Sequence, residues 1–132
     1  MILPPLSGRT IGSSSFVIAE WEDEGGHAIQ PMLIAPLHVH HRDDEAWYVL
    51  EGSLMVQCGD EVFEVPAGAC CLVPSGMPHT FWNPNPGRTR YLLIMTPKIS
   101  RLIESIHSLN DRSLSSMQAL FAQYDSELLE RV

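Results

Sequence analysis

Three histidines and one glutamate stand at spacings that can bring four metal-binding atoms together: His38, His40, Glu45 and His79. His38 and His40 are two residues apart, so in an extended strand both side chains leave by one face. Glu45 follows five residues later, across a polar bend of His41, Arg42, Asp43 and Asp44. It can open the next strand and come back to that face. His79 lies 34 residues beyond Glu45, behind Pro74-Ser75-Gly76-Met77-Pro78. Imidazole suits first-row transition metals, and a carboxylate adds a hard, charged oxygen. Three neutral imidazoles and one carboxylate leave a net positive charge on a divalent ion. In octahedral geometry two positions stay open for water, substrate or oxygen. These donor types admit iron, manganese, nickel, zinc or copper without choosing among them.

The side chains around these four follow from strand parity. Counting from Glu45 puts Trp47 and Val49 on the metal-facing side, and counting from His79 adds Phe81. Met32 and Ile34 share parity with His38 and His40. Together Met32, Ile34, Trp47, Val49 and Phe81 predict an apolar substrate pocket suited to an aromatic or hydrophobic small molecule. The same residues would also serve to fill a small barrel. His41 faces away from the pair, and His27 and His107 read as surface histidines. Asp43 and Asp44 read as solvated acids at a bend near the barrel mouth. No Arg or Lys is placed inside, so a phosphorylated substrate lacks its clamp. Arg88 and Arg90 read as decoration of a loop and an edge strand.

The elements that must hold this set are short strands. Apolar runs at Phe16–Trp21, Ile29–Ile34, Ala46–Leu50, Leu54–Cys58, Val62–Val65, Cys70–Val73, His79–Trp82 and Arg90–Met95 alternate with turn residues. Among the turns are Glu51-Gly52-Ser53, Gly59-Asp60, Pro66-Ala67-Gly68 and Asn83-Pro84-Asn85-Pro86-Gly87. Many short strands at regular spacing predict an all-β sandwich or barrel. After Pro97 the period changes. Ile99, Leu102, Ile103 and Ile106 recur at helical spacing, and Asn110-Asp111 ends that run. Ser113 can cap a second helix carrying Leu114, Met117, Leu120 and Phe121. The tail is expected to pack outside the barrel, its Met and Phe positions forming a packing stripe rather than a ligand site. The expected organisation is one domain: an N-terminal arm (1–15), a β-barrel (16–96) and a helical tail (97–132).

Composition narrows the function classes. The 132 residues carry 45% hydrophobic and 18% charged residues, an ordinary globular balance. The net charge of −8 argues against nucleic acid and against anionic membranes. Met1–Thr10 lacks the basic and apolar stretches of a signal peptide, and no apolar run reaches membrane-spanning length. Cys58, Cys70 and Cys71 have no CxxC spacing and read as reduced thiols in a cytoplasmic protein, all three as small buried hydrophobes.

The pattern resembles the cupins. His38-x-His40, four residues, Glu45, six residues and Gly52 matches their first motif. Gly68, five residues, Pro74-x-Gly76, two residues, His79, three residues and Asn83 matches the second. One departure is Met32, where the first motif often begins with glycine. That position serves a turn, so the ligand set is not in doubt. The resemblance covers residues 29–96 closely. It implies an all-β double-stranded β-helix, or jelly-roll barrel, followed here by short C-terminal helices. It also implies one divalent transition metal ion at the barrel centre, held by His38, His40, Glu45 and His79.

Three functions compete. A non-haem dioxygenase-like enzyme would bind oxygen and a small molecule at iron or manganese, as similar cupins do, with Glu45 as the catalytic group that moves protons. A metal-dependent isomerase or lyase would use the same ligands. A binding or sensing cupin would hold metal and ligand without turnover. A purely structural scaffold fits least. No Ser-His-Asp order or activated cysteine supports acyl transfer. In similar cupins such Pro-, Ser- and Gly-rich arms, headed here by Ile2 and Leu3, pair across a two-fold axis with a neighbour's sheet, so the resemblance implies a homodimer.

Overall fold

The computed structural model describes residues 1–6, 8–26 and 32–130. Two antiparallel five-stranded sheets face each other across a common core. The strands are β1 (Thr10–Gly12), β2 (Val17–Asp23), β3 (Leu33–His40), β4 (Glu45–Glu51), β5 (Ser53–Cys58) and β6 (Glu61–Pro66). They continue as β7 (Cys70–Val73), β8 (His79–Trp82), β9 (Thr89–Met95) and β10 (Ser126–Leu128). Two helices, α1 (Pro97–Ser108) and α2 (Leu114–Gln123), separate β9 from β10. One sheet has the order β1-β2-β9-β4-β7 and the other β10-β3-β8-β5-β6. The chain thus crosses repeatedly between sheets, as the double-stranded β-helix requires.

Period-two alternation decides which side chains enter the core. Along β9, Thr89, Tyr91, Leu93 and Met95 are buried while Arg90, Leu92 and Ile94 are half-exposed. Along β4, Glu45, Trp47 and Val49 turn inward. With Leu54, Val56, Val65, Val73 and Phe81 they fill the space between the sheets. Arg90 sits on the middle strand of its sheet, not on an edge as expected. Its outward side chain pairs with Glu20 at 3.5 Å.

Glycine is required at the β4–β5 turn. Gly52 has φ +80°, and a Cβ there would lie 2.5 Å from Thr89 Oγ1. Thr89 cannot retreat, because its hydroxyl is bound to Ser53 O at 2.9 Å. The tight turn therefore leaves room for no side chain.

The expected strand Ile29–Ile34 is displaced. The strand that forms is β3, which runs from Leu33 through His40, so the two histidines lie on the strand itself. His27 and residues 28–31 lie outside the described residues. Sequence reasoning also missed β1, which takes Thr10–Gly12 out of the supposed arm and pairs them with β2. It missed β10, which pairs with the His38–His40 end of β3. Both are three-residue strands, too short to carry a periodic signal.

The helices form where their caps predict. Ser113 Oγ accepts from Ser116 N at 3.4 Å at the start of α2, and Thr96 Oγ1 accepts from Ile99 N at 3.2 Å at the start of α1. Leu102, Leu120 and Phe121 form a second buried cluster between the helices. No helix among the described residues is long and apolar enough to cross a membrane.

Candidate metal centre

Four donors converge from both sheets. His38 and His40 come from β3, and His79 is the cross-strand partner of His38 on β8. Glu45 comes from β4 in the opposite sheet. His38, His40, Glu45 and His79 are 6%, 4%, 5% and 1% exposed. One ligand atom from each lies within 4.8 Å of all the others. His38 Nε2 is 3.1 Å from His40 Nε2, and His79 Nε2 is 2.8 Å from Glu45 Oε1. His40 Nε2 is 3.7 Å from Glu45 Oε2.

The outer hydrogen bonds fix which nitrogen of each ring points inward. His38 Nδ1 donates to Pro36 O at 2.6 Å, and His79 Nδ1 donates to Met77 O at 2.8 Å. A carbonyl can only accept, so both rings carry their proton on Nδ1. His40 Nδ1 meets Ser126 Oγ at 2.7 Å, and that hydroxyl donates onward to Tyr124 O at 3.1 Å. Ser126 Oγ therefore accepts from His40. All three Nε2 lone pairs then face one another and the Glu45 carboxylate. Lone pairs at about 3 Å repel unless a proton or a cation lies between them. Bonds of about 2.1 Å meeting at right angles place neighbouring donors about 3 Å apart. The spacing, tautomers and donor types thus fit a divalent transition metal.

Electrostatics favours the same state. Burial, reinforced by His79 and His40, lowers the His38 pKa to about 3. Burial also lowers His40, against the raising effect of Glu45. Burial alone would push the Glu45 carboxyl up. The His79 contact and the neighbouring imidazoles outweigh it and hold Glu45 below its ordinary value. Neutral rings at His38 and His40 beside an ionised Glu45 are the protonation states a cation needs.

The centre opens onto a cavity of about 640 Å³, within the range for small-molecule sites. His38, His40 and Glu45 line it, and His79 does not. Trp21, Ile34, Phe81, Tyr91 and Leu93 form the barrel side of the wall. Leu102, Ile103 and Ile106 of α1 and Met117 and Phe121 of α2 form the other side. The Phe121 ring stands 6.0 Å from His38, edge to face. Burial, with Asp23 and Glu45 nearby, pushes the Tyr91 phenol up, so it stays neutral.

Of the five expected pocket residues, Ile34 and Phe81 line this cavity. Trp47 and Val49 are fully buried in the core and do not line it. The Trp47 ring packs edge-on against His79 at 5.7 Å, and its Nε1 has no hydrogen-bond partner. Met32 is 59% exposed and stands away from the site. Met32 precedes β3, which begins at Leu33, so strand parity does not apply to it. The helical stripe is a further correction, since Met117 and Phe121 contribute to the cavity wall. So is the expectation of no Arg or Lys there, because Arg112 also lines it. Ser126, 86 residues from His40, gave no signal in sequence. His41 points out, as parity requires, and pairs with Glu127 at 3.2 Å.

Of the three cysteines expected to be buried, Cys71 is, Cys58 is half-buried and Cys70 is exposed. Partial burial pushes Cys71 up to about 12 and raises Cys58 as well.

A jelly-roll barrel with an inward-facing three-histidine, one-glutamate set defines a class of small β-barrel proteins that can hold one metal. The cupin-domain family matches residues 27–95, more than half of the chain, and the protein belongs to that family. Its two sequence motifs contain all four candidate ligands. A search of curated proteins gave no match.

Solved structures share the fold at low identity. A cupin protein from Bacteroides fragilis aligns with TM-score 0.55 and 14% identity, covering 77% of this chain and 75% of that one. An uncharacterised conserved protein with a double-stranded β-helix domain from Klebsiella pneumoniae gives 0.54 and 22%, covering 72% and 78%. A putative sugar phosphate isomerase from Acidithiobacillus ferrooxidans gives 0.53 and 22%, covering 61% of this chain and 49% of that chain. The present chain thus spans about half the length of that last protein.

Proposed function

We propose that this cupin is a metal-dependent enzyme acting on a small, largely apolar organic molecule, with dioxygenase-like chemistry at one divalent transition metal. The carrying observation is the junction of two features. Three imidazole nitrogens and a carboxylate oxygen converge within 4.8 Å of one another, and His38, His40 and Glu45 of that set face an apolar cavity of about 640 Å³.

When bound, the ion supplies Lewis acidity and, if it is iron or manganese, redox chemistry toward oxygen. The protein's own residues do the rest. His38, His40, His79 and Glu45 hold the ion, and Ser126 with the Pro36 and Met77 carbonyls orients the three rings. Glu45 is the catalytic candidate for accepting a proton from substrate, as the carboxylate of the ligand set that borders the cavity. Trp21, Phe81 and the helical residues Leu102 and Phe121 exclude water and hold an apolar body against the centre.

An apolar wall disfavours a sugar phosphate as ligand. Each sugar hydroxyl left unpaired against it costs about 1–3 kcal/mol. The unpaired thiols of Cys58, Cys70 and Cys71 fit a reducing, cytoplasmic compartment. An isologous dimer completes the reading, supported by exposed Ile2 and Leu3 at the start of the chain.

Elemental analysis of purified protein, followed by oxygen uptake with phenolic and diketone compounds, tests this function. One metal per chain and uptake with at least one compound are expected. His79→Ala should lose both. Protein that binds no metal, with His79→Ala indistinguishable from wild type, refutes the metal reading. Stoichiometric metal without oxygen consumption replaces oxygenation with isomerase or lyase chemistry, or with binding without turnover.

A further inference from the structure

We propose that the cavity takes a small organic acid with an apolar body, its carboxylate held at the mouth by Arg112. The helical tail then supplies part of the ligand site. This rests on the reading of the cavity as the place where a small molecule binds.

Arg112 lies between α1 and α2 and lines the same cavity as His38, His40 and Glu45. Its guanidinium donates one bond, to Ile106 O at 2.7 Å, and makes no ion pair among the described residues. Arg9, Arg42 and Arg101 likewise make no ion pair, but among the described residues Arg112 is the arginine that lines this cavity. Arg88 is bound to Glu22 and Glu51, Arg90 to Glu20, and Lys98 to Asp125. Asp111, beside Arg112, is turned the other way, accepting from Ser113 N at 3.0 Å and Ser116 Oγ at 2.6 Å. Glu22 also lines the cavity, but Arg88 neutralises it at 3.3 Å.

A chain with net charge −8 repels anions in general. An arginine free of carboxylate partners at an apolar mouth reverses this locally. Its planar fork suits a carboxylate, which it can grip through two parallel hydrogen bonds. His107 borders the same opening and can add a ring N–H. A single free guanidinium calls for a single negative charge. The apolar wall behind it, from Trp21, Phe81 and Met117, calls for a ring or a short branched chain.

The test compares 3-phenylpropionate with 3-phenylpropionamide, which has the same shape and no charge. Binding is followed by calorimetry on zinc-loaded and on chelator-stripped protein, in wild type and Arg112→Gln. The acid should bind about tenfold more tightly than the amide in both metal states, from one charge-assisted contact. Arg112→Gln should bring that ratio close to one and leave amide affinity unchanged. Equal affinity of acid and amide for the wild type overturns the proposal while leaving the cavity as a ligand site. So does a ratio that survives Arg112→Gln but vanishes on metal removal, which would put the carboxylate on the ion. Failure of both probes to bind overturns the proposal together with the cavity reading, whereas metal content is judged separately. If Arg112 only ties the helices together, Arg112→Gln lowers the melting temperature without moving the acid-to-amide ratio.

Discussion

Replacing Ser126 with alanine should weaken metal binding while leaving the barrel folded. Ser126 Oγ accepts from His40 Nδ1 at 2.7 Å and donates to Tyr124 O at 3.1 Å. Its loss leaves the Nδ1–H of a 4%-exposed ring without an acceptor. An unsatisfied buried donor costs about 1–3 kcal/mol. It also frees the ring to turn, so Nε2 is no longer held toward the other donors. Outer hydrogen bonds of this kind are worth about 10- to 100-fold in metal affinity. Competition against a chromogenic chelator measures that change directly. Unfolding provides a second readout. An ion at 100 times its dissociation constant adds about 2.7 kcal/mol to stability, and a 30-fold weaker site leaves about 0.9 kcal/mol. His41→Ala is the control, because that exposed ring pairs with Glu127 at 3.2 Å and faces away from the centre. Unchanged metal affinity in Ser126→Ala would refute the reasoning, as would an equal loss in His41→Ala.

Acid should destabilise the metal-free protein well above the carboxylate range. His38 has an ordinary pKa of 6.5 when unfolded and about 3 when folded, so between these values the unfolded chain binds the extra proton. Stability is then full above pH 6.5 and is lost as pH falls, by about 2 kcal/mol between pH 7 and pH 5 from this residue. His40, also lowered, acts in the same direction. Denaturant melts across that range should show the slope, and a flat profile would remove the buried neutral ring. Gly52→Ala should cost about 3 kcal/mol, because a left-handed residue gains a Cβ 2.5 Å from Thr89 Oγ1. Gly68→Ala, with φ +86° and nothing within 4 Å of the added carbon, should cost only about 1 kcal/mol. Equal losses in urea melts would contradict the steric argument. Light scattering should give a dimer mass, and a clean monomer at high protein concentration would remove that proposal.

The site was legible wherever chemistry and spacing coincide. His38, His40, Glu45 and His79 were readable because donor type, strand parity and turn residues all point to one place. Strand parity also placed Ile34 and Phe81 correctly on the cavity wall. It does not reach Met32, which precedes the first residue of β3. Trp47 and Val49 do face inward, but an inward side chain can meet the core instead of the cavity. The alternation of β4 cannot tell these apart, since the difference lies in what the opposite sheet places there. Ser126 and Arg112 were invisible for another reason. Ser126 meets His40 across 86 residues, and Arg112 borders the cavity only because the tail packs against the barrel, which no local pattern encodes.

The division of labour within the chain follows from where the parts lie. Every candidate metal ligand falls in residues 38–79, inside the segment that matches the family. The far wall of the cavity, from Leu102 to Phe121, falls outside it. The barrel therefore supplies every candidate ligand of the centre. Under the proposed function, the tail sets which molecules reach it, since Ile103, Ile106, Met117, Phe121 and Arg112 line the cavity. Structures that share the barrel at 14–24% identity inform the first property and leave the second open. For that reason the substrate has to be sought from the helical wall of this chain, where an apolar surface and one unpaired arginine meet.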